Sequence, residues 1–521
     1  MKREEMLIRL RERKEPWDII VIGGGATGAG VAVDAASRGL AVLLLEREDF
    51  AKGTSSRSTK LVHGGVRYLE QGNVSLVMEA LKERGILRQN APHLVHDLAF
   101  VVPNYSWWEA PFYGIGMKIY DMLAGKYGFG RSRILSTEET LEMLPNLQTE
   151  GLRGGVIYYD GQFDDSRLLI HMAATAADHG ATLLNYFPVT GFSKDEEGYI
   201  NGVVAGDSET GSAFNIGARV VVNATGAFAD QVRRMAEPDT AGMIAPSQGI
   251  HLVFNHTFLR ADTAIMVPHT SDGRVLFAIP WHGHTVVGTT DTPIDAASYD
   301  PIPFEEEIQF ILETAGQYLS HPPMRDDVLS VYVGIRPLVR AQNNSASTAS
   351  LSRDHTIHVD NSGLLTIVGG KWTTYRHMAE DCVDHAITLG RLRDADCVTK
   401  TLRIHGYRED VDELDSFGVY GSDGVLIRAM VDEDPSLGER LHPDLPYIRA
   451  EVVWGVRQEM ARKADDILSR RTRALFLNAK AATEMAPAVA DLMAAELGED
   501  QTWIDTQLTE FKALADKYRI Q

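Results

Sequence analysis

The stretch DIIVIGGGATGAG, Asp18 to Gly30, constrains this chain more than any other. Ile19 to Ile22 read as a buried strand, and Gly23, Gly25 and Gly28 follow in G-x-G-x-x-G spacing. A helix of small residues then runs to about Gly39, and a second apolar strand, AVLLLE, closes the unit on Glu46. Each part has a task in binding a dinucleotide. Gly23 permits the tight turn, Gly25 lets the backbone approach a pyrophosphate, and Gly28 lets helix and strand pack closely. The helix N-terminus presents unbonded N–H groups and a positive dipole end to the phosphates. Glu46, 18 residues past Gly28, stands where a carboxylate accepts hydrogen bonds from a ribose. A Gly-rich turn in an ordinary parallel sheet explains neither the three spaced glycines nor the terminal Glu.

A chain of 521 residues is too long for one core and implies two or three domains. The net charge of −21 argues against nucleic acid and requires a locally basic pocket for any anionic substrate. With only Cys382 and Cys397, neither a disulfide framework nor a Cys-rich metal site is expected, no metal is predicted, and a reducing, cytoplasmic setting fits. No apolar run reaches about 18 residues, so nothing is expected to span a bilayer. The opening MKREEMLIRLRERK lacks an apolar signal core and reads as a short basic helix, solvated, or second, touching a membrane surface.

Beyond residue 50, apolar runs at 98–103, 155–159 and 200–205 read as strands, and 65–93 as a helical stretch stopped by Pro92. RVVVNATGAFAD, Arg219 to Asp230, is a buried strand breaking at a small turn. RVLFAIPWHGHTVVGTTD, 274–291, alternates around a Gly-His turn as a hairpin. Residues 341–354 are small and polar and read as a loop; TIVGGKWTTYRHMAEDCVDHAI then gives strand, Gly-Gly turn and helix. From about 400 only amphipathic helical patterns remain. The expectation is an α/β protein in three parts. A discontinuous Rossmann-like domain takes residues 17–86, 164–230 and 341–395. An interleaved antiparallel-sheet substrate domain takes 87–163 and 231–340, an all-helical domain takes 396–521, and 1–16 is a basic leader.

Three later segments bear on which dinucleotide is bound. TSSRSTKLVHGGVRYLE, Thr54 to Glu70, supplies hydroxyls where a loop wraps a flavin's pyrophosphate and ribityl chain. NATG, Asn223 to Gly226, ends a strand. VGGK, Val368 to Lys371, opens a helix whose N-terminus faces the flavin's pyrimidine edge. Together with GVRP-like VGIRP, SRD and GGKWTTYR, these motifs resemble the FAD-dependent glycerol-3-phosphate dehydrogenases, within the group similar to D-amino-acid oxidase. The likeness runs by motif from residue 17 to about 380, and EVVWGVRQEMARKADDILSRRTRALF is similar to that family's helical domain. The chain departs from the family's K-G-S-H-[IL]-V pattern: Gln248 and Ile250 stand for Lys and Ser before His251.

The resemblance implies oxidation of sn-glycerol 3-phosphate to dihydroxyacetone phosphate by hydride transfer to FAD, with electrons passed to a quinone. It implies Gly23, Gly25, Gly28, Glu46, Thr54, Ser55, Ser56, Lys60, His63, Gly64, Gly65, Ala224, Gly226, Gly369, Gly370 and Lys371 at the cofactor. Both cysteines lie away from the flavin loops, so FAD is expected to be non-covalent. Independently, Arg67, Arg336, Arg353 and Lys371, with Tyr68, Thr373 and Thr374 as hydroxyl donors, suit a dianionic phosphate better than one carboxylate. Arg336 and Arg67 are expected to hold the phosphate. His63 is the first candidate base, with Lys371 or His251 behind it. Two other readings stay open: an oxidase of the same fold using O₂, and a flavin-binding protein without turnover. A quinone acceptor implies a peripheral enzyme on the inner face of the cytoplasmic membrane, attached by the leader helix or by the aromatic segment Tyr105 to Tyr113, and a homodimer is the assembly considered. Trp107 and Trp108 read first as core or a domain interface and second as a quinone or membrane platform, and Arg470, Arg471 and Arg473 as a solvated helix face or partners of Asp465 and Asp466.

Overall fold

A computed structural model describes residues 1–66, 69, 72–268, 270, 274–340, 354–410 and 415–520. One sheet runs, in spatial order, His355–Val359, Leu365–Gly369, Ala213–Asn223, Trp17–Ile22, Val42–Leu45 and Thr182–Leu184. All these neighbours pair in parallel except the edge strand His355–Val359. The central strands are near-continuous apolar runs because both faces are covered. On one face the helices Ala26–Ser37 and Tyr375–Gly390 cross so closely that a Cβ on Gly30 would lie 2.9 Å from the Tyr375 ring. The other face is covered by the antiparallel pair Val189–Lys194 and Ile200–Gly206, and by the N-terminal helix Arg3–Glu12.

That helix departs from expectation. Met6, Leu7 and Leu10 are buried against Ile20, Leu43 and Leu184, and Arg3 is buried on Asp207, 2.6 Å away, and Glu209. Its apolar side is used up by the sheet, so it is neither a solvated leader nor a surface ready for lipid.

The second sheet is built on the long antiparallel pair Ile244–Asn255 and Val328–Val339. It continues through the hairpin Leu276–Trp281 and His284–Gly288 to Thr263–Val267, Val95–Asn104 and Gly154–Phe163. It is mixed rather than purely antiparallel, since Thr263–Val267 runs parallel to Val95–Asn104. Leu61–Val62 joins this sheet through Gly154–Phe163, so part of the stretch 17–86 feeds the substrate side.

From residue 400 to 520 the described residues form helices and turns with no strand, among them Arg449–Glu459, Ala479–Leu497 and Gln501–Ala515. Arg470, Arg471 and Arg473 lie inside the protein, not on a solvated face. Arg470 and Arg471 each reach Asp49 at 2.6 Å, Arg470 also bonds Asp465 and Asp466, and Arg473 bonds Asp165 and the Ser56 carbonyl. Removing one partner of such a buried pair leaves an uncompensated charge and costs about 3–5 kcal/mol. These pairs clamp the helical region onto the loops that carry the site.

Candidate active site

The turn after Trp17–Ile22 is shaped by its glycines. Gly23 has φ +110°, and a Cβ there would lie 2.8 Å from the Ala224 carbonyl oxygen. A Cβ on Gly28 would lie 1.9 Å from the Gly23 carbonyl oxygen, so Gly28 serves helix packing and lines no cavity. At Gly25 only Ser55 Oγ comes near, at 3.1 Å, and the space beyond is a groove of about 260 Å³. Glu46 lies along this groove, accepting N–H bonds from Gly24 and Glu48, and burial pushes its carboxyl above the usual range. A stacked pair, Phe228 and Tyr299 with centroids 4.0 Å apart, lines the same groove, with the Arg47 guanidinium over Tyr299.

Two loops meet at the groove's inner end. Ser55 Oγ accepts the Ala26 N–H at 2.9 Å, and Trp372 Nε1 donates to the Ser55 carbonyl at 2.9 Å. Thr54, Gly370, Lys371 and Trp372 line both the groove and a second cavity of about 340 Å³, so the two adjoin. Ala224, Gly226 and Gly369 also line the groove. A buried carboxylate, a turn free of Cβ at Gly25 and a helix N-terminus along one groove fit an FAD running from the Phe228–Tyr299 end to this junction.

Three expected cofactor residues turn elsewhere. Ser56 is buried, and its carbonyl accepts from Lys60 and Arg473. Lys60 is fully buried, donating to Asp165 at 2.8 Å inside a box of the Trp281, Tyr332 and Phe476 rings. Desolvation there pulls its ammonium down to about 7. Gly64 lines neither cavity; its N–H donates to Tyr120 Oη, and a Cβ would strike that oxygen at 2.4 Å. Residues of this loop face different sides without a regular period, so hydroxyl content alone does not tell which ones face the cofactor.

The larger cavity has mixed walls. Its polar lining includes His63, His251, Arg336, Lys371 and Thr373, with Gly65 beside them. The Arg336 Nη1 donates to Asp291 at 3.2 Å and Nη2 to the Thr290 carbonyl at 2.9 Å, fixing the guanidinium plane at the cavity wall. Asp291 is held in turn by the Ser247 hydroxyl. His251 lies flat on Tyr332, 4.7 Å between centroids, with Nε2 2.9 Å from Thr59 Oγ1. Its Nδ1 is buried and has no hydrogen-bond partner among the described residues. Burial, reinforced by Lys60 and Arg336, holds His251 well below the usual imidazole range, so it is neutral. Gln248 is withdrawn from the site, bonding Glu307 at 2.7 Å, and Ile250 is in the core. Arg67, Tyr68 and Arg353 lie outside the described residues. Thr374, expected as a further donor, is buried just behind the cavity wall.

Arg57, Arg274 and Asp291 also line this cavity, unforeseen from sequence. A signal for two of them existed. Arg274 and Asp291 begin and end the segment read as a hairpin, and a hairpin brings its two ends side by side.

Comparison with known proteins agrees with this geometry. Residues 18–376 match the family model described as FAD dependent oxidoreductase, and residues 365–504 match the C-terminal domain of alpha-glycerophosphate oxidase. The mitochondrial glycerol-3-phosphate dehydrogenase of Homo sapiens is 42% identical over 532 residues, covering 96% of this chain and 73% of that protein. A probable mitochondrial glycerol-3-phosphate dehydrogenase of Caenorhabditis elegans is also 42% identical, with 99% and 75% covered. The structure of a Bacillus halodurans glycerol-3-phosphate dehydrogenase complexed with FAD is similar with a TM-score of 0.81 and 32% identity, over 99% of this chain and 97% of that one.

Proposed function

Because this chain belongs to the FAD-dependent glycerol-3-phosphate dehydrogenases, we propose that it passes the electrons taken from glycerol 3-phosphate to a quinone, as a peripheral enzyme on a membrane surface. Oxidation of glycerol 3-phosphate with FAD is the family's reaction, and FAD, when bound, supplies the acceptor for the substrate's C2 hydride. Arg336 and Lys371 hold the phosphate dianion, with the Thr373 hydroxyl beside them. Arg67, Tyr68 and Arg353 remain proposed as further phosphate contacts. Asp291 and the Thr290 carbonyl preset the Arg336 plane, which removes an orientation cost at binding.

Two histidines line the cavity. His251 is placed as acceptor of the hydroxyl proton through Nδ1, which is buried and has no hydrogen-bond partner among the described residues, with His63 as the alternative. Proton removal by His251 and hydride loss from C2 yield the ketone.

The membrane surface is carried by the helix Glu109–Ala124. Trp108, Phe112, Ile115, Ile119 and Met122 fall on one stripe at spacings of four and three and are 42–80% exposed; Trp107 beside them is 78% exposed. They are therefore not core. Exposed Lys118, Lys126 and Arg131 flank the stripe, a local basic rim on a chain of charge −21. No helix among the described residues is long and apolar enough to cross a membrane, so this stripe lies in the interface plane.

Pelleting with anionic liposomes tests the surface. The wild-type protein should pellet at both low and high salt, because apolar insertion survives screening. Phe112→Glu with Ile119→Glu should leave it in the supernatant at either salt concentration. A double variant that pellets like the wild type places the contact elsewhere.

A further inference from the structure

We propose that Lys60 is a positioning residue for His251: it holds Thr59 against one ring nitrogen of the imidazole, and its charge sets how strongly the other draws the hydroxyl proton. This rests on His251 as the proton acceptor. Lys60 lines neither cavity, so its effect on the reaction passes through that ring.

Three consecutive residues build the support. The Ser58 carbonyl accepts from Tyr332 Oη at 3.0 Å, and the His251 ring lies flat on Tyr332. Thr59 Oγ1 is 2.9 Å from His251 Nε2. With Nδ1 as the acceptor, Nε2 carries the hydrogen and Thr59 Oγ1 accepts it. Lys60 then turns the chain with φ +64°, a region that residues with a Cβ rarely adopt. Such strain persists where the surroundings over-determine it. Here the ammonium is tied to the Asp165 carboxylate at 2.8 Å and to the Ser56 carbonyl at 2.7 Å, and the Lys60 carbonyl accepts the Phe163 N–H. Lys60 is drawn inward, and Thr59 beside it lines the cavity.

The charge acts on the same ring. The Lys60 Nζ lies 4.9 Å from the centroid of Tyr332, the ring on which His251 stacks, and bulk water does not reach it. Among the described residues, Asp165, Asp164 and Arg473 are the charged groups that face Lys60, with His282 behind Asp164; Lys60 and Arg336 face His251. Both arginines stay charged across the neutral range. Lys60 does not, because desolvation brings its ammonium down to about 7. Below that pH its charge opposes proton uptake by His251 and weakens the base. Above it the charge is gone and the imidazole is the stronger acceptor, so the rate rises with pH.

The test is the limiting rate of anaerobic flavin reduction by saturating glycerol 3-phosphate, measured on the FAD-loaded protein from about pH 6 to about pH 8. Saturation keeps titration of the free substrate's phosphate out of the profile. In the wild type the rate should climb roughly three- to tenfold through about pH 7. Lys60→Met fills the aromatic box without charge, and Asp165 keeps Arg473 and the Ser58 hydroxyl as partners. Its profile should flatten to less than about twofold, with FAD content and half-saturating substrate within about twofold of wild type. Thr59→Val should lower the rate at every pH and keep the climb. Asp165→Asn should move the climb to lower pH, because Lys60 loses the carboxylate that helps hold its proton; this variant carries the test if Lys60→Met does not fold. A flat wild-type profile overturns the proposal. So does a climb that survives in Lys60→Met or keeps its midpoint in Asp165→Asn, since it then belongs to another group such as His63 or His282. If His251→Gln leaves the limiting rate unchanged, the base reading itself fails, and no change at Lys60 is needed to see it.

Discussion

Gly25→Val yields a folded, colourless protein that retains no FAD and does not oxidise glycerol 3-phosphate. The Gly25 position is extended, with φ −84°, so valine is tolerated by the backbone. Its Cβ meets only Ser55 Oγ inside the protein, while its methyl groups project into the groove where the pyrophosphate must lie. Loss of the cofactor is therefore expected without loss of the helix Ala26–Ser37. Gly28→Val is the contrasting case, because its Cβ would overlap the Gly23 carbonyl and the strand–helix packing itself must fail. Flavin absorbance of the purified variants and far-ultraviolet circular dichroism distinguish the two outcomes. A yellow Gly25→Val protein would move the pyrophosphate out of this turn.

Arg336→Lys should reduce kcat/KM for glycerol 3-phosphate by roughly 30- to 900-fold, the equivalent of about 2–4 kcal/mol for a charge-assisted contact in a mostly dry site. An ammonium cannot reproduce a planar fork whose plane is already set by Asp291 and Thr290. The loss should appear chiefly in KM, with FAD still bound. His251→Gln in the same assay should act on kcat instead, by about 10²–10⁴-fold, since it removes a proton acceptor and not an anchor. An unchanged KM in Arg336→Lys would take that residue out of substrate binding; an unchanged kcat in His251→Gln would return the base to His63.

The sequence was most legible where local geometry and chemistry coincide. The spacing of Gly23, Gly25 and Gly28 and the distance to Glu46 are local demands of one turn, and Trp17–Ile22 flanked by parallel Val42–Leu45 follows. Arg336 and Lys371 are legible as cavity-lining cations for the same reason, each beside a chain-breaking turn or strand end. Legibility failed where a side chain's surroundings come from distant chain. Lys60 lies among hydroxyls in sequence, yet its neighbours in space are Asp165, Trp281, Tyr332 and Phe476. Arg470 and Arg471 look like a solvated cluster until Asp49, more than 400 residues earlier, is brought beneath them. The mixed-charge sequence of the leader helix hides that Arg3 has a buried carboxylate to meet. The reverse holds for Trp107 and Trp108: aromatic content favours an interior or an interface, whereas the chain turns both rings outward.

Every role above depends on oxidation of glycerol 3-phosphate at a flavin bound beside this cavity. Anaerobic addition of glycerol 3-phosphate to the purified yellow protein, followed at the flavin band near 450 nm, tests this. Full bleaching is expected, with one dihydroxyacetone phosphate formed per flavin and no bleaching by glycerol, which lacks the phosphate proposed to sit on Arg336 and Lys371. A flavin spectrum that glycerol 3-phosphate leaves unchanged, or that glycerol bleaches equally well, would contradict it.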